Sequence, residues 1–267
     1  MALSMILFSV SIMEAQKTRV IETYPRIPKT IHLSHKSYSD LNPYLIPHLK
    51  RLHPDFEIKF YDDASALKLL PERLVTSYSK VIGAHRGDLI RYFLLNKFGG
   101  YWIDADNTPL INLYEISKGF DFVTAIHWEN WWGYRETKGF SIHNGFLGSR
   151  PNNPILQDLL EHMISNQPTD HHFYVRYFYK YLKKLLGTTP LVDEIYEHND
   201  LKMKFFLSEC FTFEGHMGIQ FVNESLPFLL ESNKIKDWRR FRISEINRRP
   251  IFYNYTARKW THKFHIQ

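Results

Sequence analysis

The chain has 267 residues, of which 44% are hydrophobic and 23% charged, and a formal net charge of +6. That length can bury a sizeable core, and that balance excludes a disordered or fibrous chain. A single cysteine, Cys210, excludes an intrachain disulfide and a cysteine-built metal site, so stability does not depend on an oxidising compartment.

Residues 1–13 (MALSMILFSVSIM) are apolar. The run is shorter than the roughly 20 residues needed to span a bilayer, and it lacks a basic leading region and a small-residue cleavage site. Residues 1–18 are therefore expected to be a lead-in, with a weak anchor as the alternative. The location expected is cytoplasmic or peripheral to a membrane. Residues 19–267 show no repeat and no linker and are read as one domain. The positive balance suits an anionic ligand such as a nucleotide diphosphate or a phospholipid surface. Basic residues cluster only at 238–242 (WRRFR) and at Arg248-Arg249, so nucleic acid is not an expected partner.

Pro25 and Pro28 precede a short strand at residues 30–33 (TIHL). Asn42-Pro43 opens a helix through Leu52, His53-Pro54 ends it, and residues 56–61 (FEIKFY) alternate like a second strand. This β-α-β opening argues for an α/β sheet. Asp63 is the expected cap of a helix at residues 64–70. One long helix is predicted over residues 79–98, ended by Gly99-Gly100, where glycine takes the left-handed turn without strain. Residues 101–103 form a short buried strand that runs into Asp104. Residues 120–126 read as a strand and 127–134 as an aromatic loop, in which Trp131 and Trp132 are expected on the acceptor side. A strand at 139–148, helices at 153–165 and 173–186, and strands at 205–213 and 251–255 complete the series.

The chemistry centres on Asp104-Ala105-Asp106. In an extended segment, residues two apart point to one side, so both carboxylates can face one hard cation such as Mg²⁺ or Mn²⁺. The cation supplies the counter-charge that two close carboxylates need, and it can bridge a diphosphate. Asp88 and Arg91 lie three apart on the preceding helix and share a face. They form either a surface ion pair or a face turned into the same cleft.

Residues 85–106 (HRGDLIRYFLLNKFGGYWIDAD) resemble the signature of DXD-containing sugar transferases, among them fungal initiating α-1,6-mannosyltransferases and bacterial capsular polysaccharide transferases. Residues 27–32 (IPKTIH) resemble the family's first strand, residues 144–154 (NGFLGSRPNNP) its Asn-containing segment, and residues 187–190 (GTTP) its small turn. The resemblance implies a GT-A fold: a Rossmann-like nucleotide-diphospho-sugar transferase, with a mixed central sheet and flanking helices. It implies retention of anomeric configuration, a UDP- or GDP-linked sugar donor, a glycan or polysaccharide acceptor, and Mn²⁺ or Mg²⁺. Asp104 and Asp106 would hold the metal, and Asp88 and Arg91 would complete the catalytic set. Ile31, His32, His35, Tyr101, Asn144 and Gly145 would line the donor site with Asp88, Arg91 and Asp104. Two departures stand out. Leu33 and His35 occupy the first-strand loop where Gln and Trp are usual, and His35 could stack on the base instead. Near the C-terminus the best match to the closing motif is Asn254 with Lys259-Trp260, which makes Asn254 the candidate third metal ligand and adds Lys259 and Trp260 to the donor site.

Two other readings compete. Residues 103–110 (IDADNTPL) resemble the first motif of haloacid-dehalogenase-type phosphatases, with Asp104 as nucleophile and Asp106 as acid. A catalytically weak sugar-binding protein on the same fold is the other.

Overall fold

The computed structural model describes residues 26–41, 43, 45–105, 107–109, 111–128, 140–170, 172–191, 194–209, 243–246, 249–250 and 252–254. The lead-in, Asp106, Trp131, Trp132, Cys210, Lys259 and Trp260 lie outside these residues.

Strand β1 (Thr30–Ser34) is followed by α1 (Leu45–Leu52), β2 (Glu57–Tyr61), α2 (Asp63–Leu69), α3 (Glu72–Lys80), α4 (Ala84–Phe98) and β3 (Gly100–Ile103). β2 pairs parallel with one edge of β1, and β3 pairs parallel with the other. Leu45 and Leu49 of α1 pack with Ile31 and Leu33 on one face of the sheet. Leu89, Tyr92 and Leu94 of α4 pack with Trp102 on the other. The chain thus crosses one face to reach β2 and the opposite face to reach β3. That reversal makes a switch point between β1 and β3, where the carboxyl ends of the strands open a crevice.

The helix expected over residues 79–98 begins late, at Ala84, and the first two positions of that range instead end α3, a helix the sequence reading did not anticipate. α3 ends at Lys80, α4 begins at Ala84, and Gly83 between them has φ 56°, a conformation no α-helix contains. Both helices bury their apolar faces in one core. The cap of α2 is Asp62 rather than Asp63. Its Oδ1 accepts from the Ser65 backbone N–H at 2.8 Å, and the Ser65 hydroxyl accepts from the Asp62 N–H at 2.9 Å. At the end of α4, Gly99 and Gly100 have φ 66° and 99°. A Cβ on Gly100 would stand 2.5 Å from the Thr30 carbonyl, so only glycine lets β3 start this close to β1.

The second half holds β4 (Asn107–Pro109), α5 (Leu113–Ser117), β5 (Phe122–Trp128), β6 (Phe140–Ser149), α6 (Pro154–Ser165), α7 (Phe173–Leu186), β7 (Ile195–His198), β8 (Leu201–Glu209), β9 (Ile243–Ile246), β10 (Arg249–Pro250) and β11 (Phe252–Asn254). The main sheet runs β10-β9-β8-β5-β6-β3-β1-β2, with β7 also on β8. It is mixed: β5 and β8 are parallel, whereas β6 is antiparallel to both β3 and β5. This is the α/β mixed sheet with flanking helices that the sequence predicts. β5 extends through His127 and Trp128, which the sequence placed in the loop, and β8 begins at Leu201 rather than 205. β4 and β7 were not anticipated; both are short, β4 takes its pairing from the distant β11, and β7 forms a tight hairpin with β8, His198 opposite Leu201. Among the described residues, no helix is long and apolar enough to cross a membrane.

Candidate active site

The crevice is built where three elements meet: the first two turns of α4, the carboxyl end of β3 and the middle of β6. α4 and β3 run in opposite directions through the Gly99-Gly100 turn, so the start of the helix lies beside the end of the strand. Arg91 spans the gap. Its Nη1 donates to Asp88 Oδ1 at 2.8 Å, and its Nη2 donates to Asp104 Oδ1 at 2.6 Å. Asp88 and Arg91 are buried, while the Asp104 side chain is 35% exposed. This settles the choice left by the sequence: Asp88 and Arg91 are not a surface ion pair but a buried pair facing Asp104. Burial works against the guanidinium charge, but the carboxylates of Asp104 and Asp88 outweigh it and hold the Arg91 pKa above its ordinary value.

β6 supplies the third side through an irregularity. Across the β5–β6 pair, Thr124 opposes Leu147 while the next residue, Ala125, opposes His143. Asn144, Gly145 and Phe146 therefore bulge away from β5, and bulges re-aim side chains. The Asn144 Nδ2 donates to Asp88 Oδ1 at 2.8 Å, and the Tyr92 hydroxyl donates to Asn144 Oδ1 at 3.0 Å. The Gly145 carbonyl accepts from the Asp104 N–H at 3.0 Å and from Asn107 Nδ2 at 3.2 Å. A Cβ on Gly145 would fall 2.3 Å from that Nδ2 and 3.1 Å from Asp104 Oδ2. Glycine is required here by close approach, and its bareness keeps Oδ2 uncovered.

Four residues expected at the site, Asp88, Arg91, Asp104 and Asn144, form one hydrogen-bonded chain, with Gly145 fixing the backbone of Asp104. His35 is exposed just past the end of β1, at the same edge of the sheet. The structure does not bring Ile31, His32 or Tyr101 to the crevice, which corrects the donor-site expectation for those side chains. Ile31 is a core residue with no exposed surface. His32 is equally buried: its Nε2 lies 2.9 Å from the Gly99 carbonyl and its Nδ1 3.0 Å from the Tyr61 hydroxyl. Tyr101 lies on the opposite face of the sheet, bonded to the Ser117 hydroxyl.

The alternation of the strand puts Trp102 there instead, a residue the sequence reading passed over. Its indole Nε1 donates to Asp104 Oδ1 at 2.7 Å, and the Arg91 guanidinium lies 5.1 Å from its ring centre. Its position two residues before Asp104 was the available signal. Asn254 is placed by its backbone: β11 pairs antiparallel with β4, with Asn254 opposite Asn107, and the Asn107 N–H donates to the Asp104 carbonyl at 2.8 Å.

A divalent cation fits these residues at one point. Asp104 Oδ1 is taken by Arg91 and Trp102, whereas Oδ2 has no hydrogen-bond partner among the described residues and lies against bare Gly145. Among the described residues no group of three or more His, Cys, Asp or Glu is placed to hold a metal.

A family model for capsular polysaccharide synthesis proteins matches residues 69–256. The chain belongs to that family. The capsular polysaccharide synthesis match takes in Asp88, Arg91, Asp104, Asn144 and Asn254 and leaves out β1. Among curated proteins the chain is similar to inositol phosphoceramide mannosyltransferase 3 of Schizosaccharomyces pombe, 27% identical over 144 residues, which are 52% of this chain and 35% of that protein. It is also similar to the O-glycosyltransferase braB of Annulohypoxylon truncatum, 29% identical over 191 residues, 60% of this chain and 42% of that protein. The chain thus spans less than half the length of these relatives. Among solved structures, the PaToxG glycosyltransferase is 17% identical and superposes with a TM-score of 0.43 over 60% of this chain and 72% of that one.

Proposed function

We propose that the protein is a glycosyltransferase that moves a sugar from a UDP- or GDP-linked donor to a glycan or polysaccharide acceptor, with retention of anomeric configuration. The observation that carries this reading is the buried Asp88–Arg91–Asp104 chain at the carboxyl end of β3. It stands beside the β1–β3 switch point, where α/β sheets bind nucleotides, and inside the stretch matched by the family model. The names of the two curated relatives support sugar transfer.

In this reading Asp104 turns Oδ2 to the crevice, and with Asp106 it would hold Mn²⁺ or Mg²⁺, with Asn254 as candidate third ligand. The cation, when bound, neutralises charge on the departing nucleotide diphosphate. Arg91 and Trp102 hold the other oxygen of Asp104, so the carboxylate enters the reaction already oriented. Asp88 and Asn144 form the wall against which the donor sugar rests, and the cation of Arg91 sets the local field there. His35, exposed past the end of β1, would stack on the base. Lys259 and Trp260 would close over the diphosphate.

The test is a panel of UDP- and GDP-sugars with Mn²⁺, Mg²⁺ or chelator, scored for release of nucleotide diphosphate and for the anomer of any product. Metal-dependent release from one donor is expected. Phosphate release from a simple phosphomonoester would point to the phosphatase reading. Saturable donor binding with no turnover under any metal would point to the sugar-binding reading.

A further inference from the structure

We infer that Tyr92 is a positioning residue that orients the Asn144 side chain, and through it Asp88. The inference rests on the glycosyltransferase reading for what that orientation serves. An asparagine amide has two nearly isosteric orientations, and what selects one is what each end meets. At one end the Asn144 Nδ2 donates to Asp88 Oδ1 at 2.8 Å; flipped, the amide would set an oxygen against a carboxylate oxygen. At the other end the Tyr92 hydroxyl donates to Oδ1 at 3.0 Å. The amide is thus clamped at both ends.

Tyr92 can serve as the fixed end. It has no exposed surface, and its ring stands edge-on to Phe178 of α7 with centroids 5.7 Å apart. Burial pushes its phenol above the ordinary range, so it remains a donor at every physiological pH. The clamp is needed because Asn144 stands in the β6 bulge, where the regular ladder to β5 is interrupted. An ordinary core tyrosine at this place would fill volume; this one also sets an amide that a carboxylate of the site depends on.

Tyr92→Phe keeps the ring and removes only the donor. Two measurements decide the matter. The first is the side-chain amide pair of Asn144 in a nitrogen–proton correlation spectrum, assigned by its loss in Asn144→Ala. In the wild type it is expected to be resolved and protected from exchange, and in Tyr92→Phe shifted and exchanging faster. The second is a double-mutant cycle. Tyr92→Phe is expected to lower kcat/KM for the nucleotide sugar on the order of tenfold, since small misplacements in a site are costly. Inhibition by the free nucleotide diphosphate should be unchanged. Added to Asn144→Ala, Tyr92→Phe should have no further effect, because one acts through the other. An unchanged amide pair in folded Tyr92→Phe overturns the inference, and so does an additive effect on Asn144→Ala. A wild type that consumes no nucleotide sugar would instead overturn the glycosyltransferase reading, and the amide measurement would still decide this one.

Discussion

Arg91 donates one nitrogen of its guanidinium to Asp88 and another to Asp104, residues that lie on different elements and are 16 positions apart in the chain. A single cation thereby joins the helix wall of the crevice to its strand floor. Removing it leaves two carboxylates close together, one of them buried. Arg91→Ala is expected to destabilise the fold by about 3 kcal/mol, the lower end for a broken buried pair because Asp104 is partly exposed. Urea unfolding monitored by circular dichroism reads this directly. Arg91→Lys keeps the charge but not the fork, so it should recover most of the stability and little of the activity. Full activity in the lysine variant would show that the bridge is purely structural.

Asp104→Asn retains an acceptor for Arg91 and Trp102 but loses the charge that Oδ2 turns to the crevice. Turnover should fall on the order of a hundredfold or more with little change in melting temperature. Asp106→Asn should fall similarly. The check is a Mn²⁺ titration of each variant; a wild-type rate in the presence of chelator for either would remove the metal from the site.

Gly145→Ala places a methyl 2.3 Å from Asn107 Nδ2 and 3.1 Å from Asp104 Oδ2. The bulge has to shift, at a cost of about 1–3 kcal/mol, and the shift carries Asn144 and the Asp104 backbone with it. Loss of activity larger than the loss of stability is expected, read from kcat/KM beside thermal melting at a temperature where both proteins are folded.

Acid should weaken the fold through two buried histidines. Burial pulls the pKa of His32 and of His53 down to about 4. Each is neutral and uses both ring nitrogens: His53 Nε2 accepts from the Leu113 N–H at 3.0 Å while Nδ1 faces the Leu49 carbonyl at 3.1 Å. The unfolded chain binds protons at these sites below about pH 6.5 and the folded one only near pH 4. Stability is therefore full above pH 6.5 and falls as the pH drops toward 4, by roughly 1.4 kcal/mol per pH unit for each histidine. Urea midpoints at pH 7, 6 and 5 test this, and His53→Gln should flatten the slope.

The pairing of Asn254 with Asn107 ties the last described strand to β4, which follows closely on Asp104. Truncation after Pro250 should leave the main sheet folded and abolish transfer. Lys259→Ala should lower kcat by about ten- to a thousandfold, if its ammonium meets the diphosphate. A truncated protein that transfers sugar at the full rate would exclude the tail from the site.

Helix and strand periodicities are local and say which side chains share a face, so residues 85–106 were enough to pair Asp88 with Arg91 and Asp104 with Asp106, while the expectation that the two pairs serve one site came from the resemblance to sugar transferases. The alternation of β1 and β2 around a helix was enough for the α/β class. What the sequence left open was settled by partners distant in the chain. The helix expected from residue 79 begins only at Ala84, because Gly83 before it takes a φ of 56° that no α-helix contains. Trp102 rather than Tyr101 meets Asp104 because the floor of the site is one particular face of β3. Asn144 reaches Asp88 only because β6 bulges between two neighbouring strands, and β4 exists only against β11. Propensity and spacing are properties of a segment, whereas sheet face, bulge and register are set by which other strands it meets.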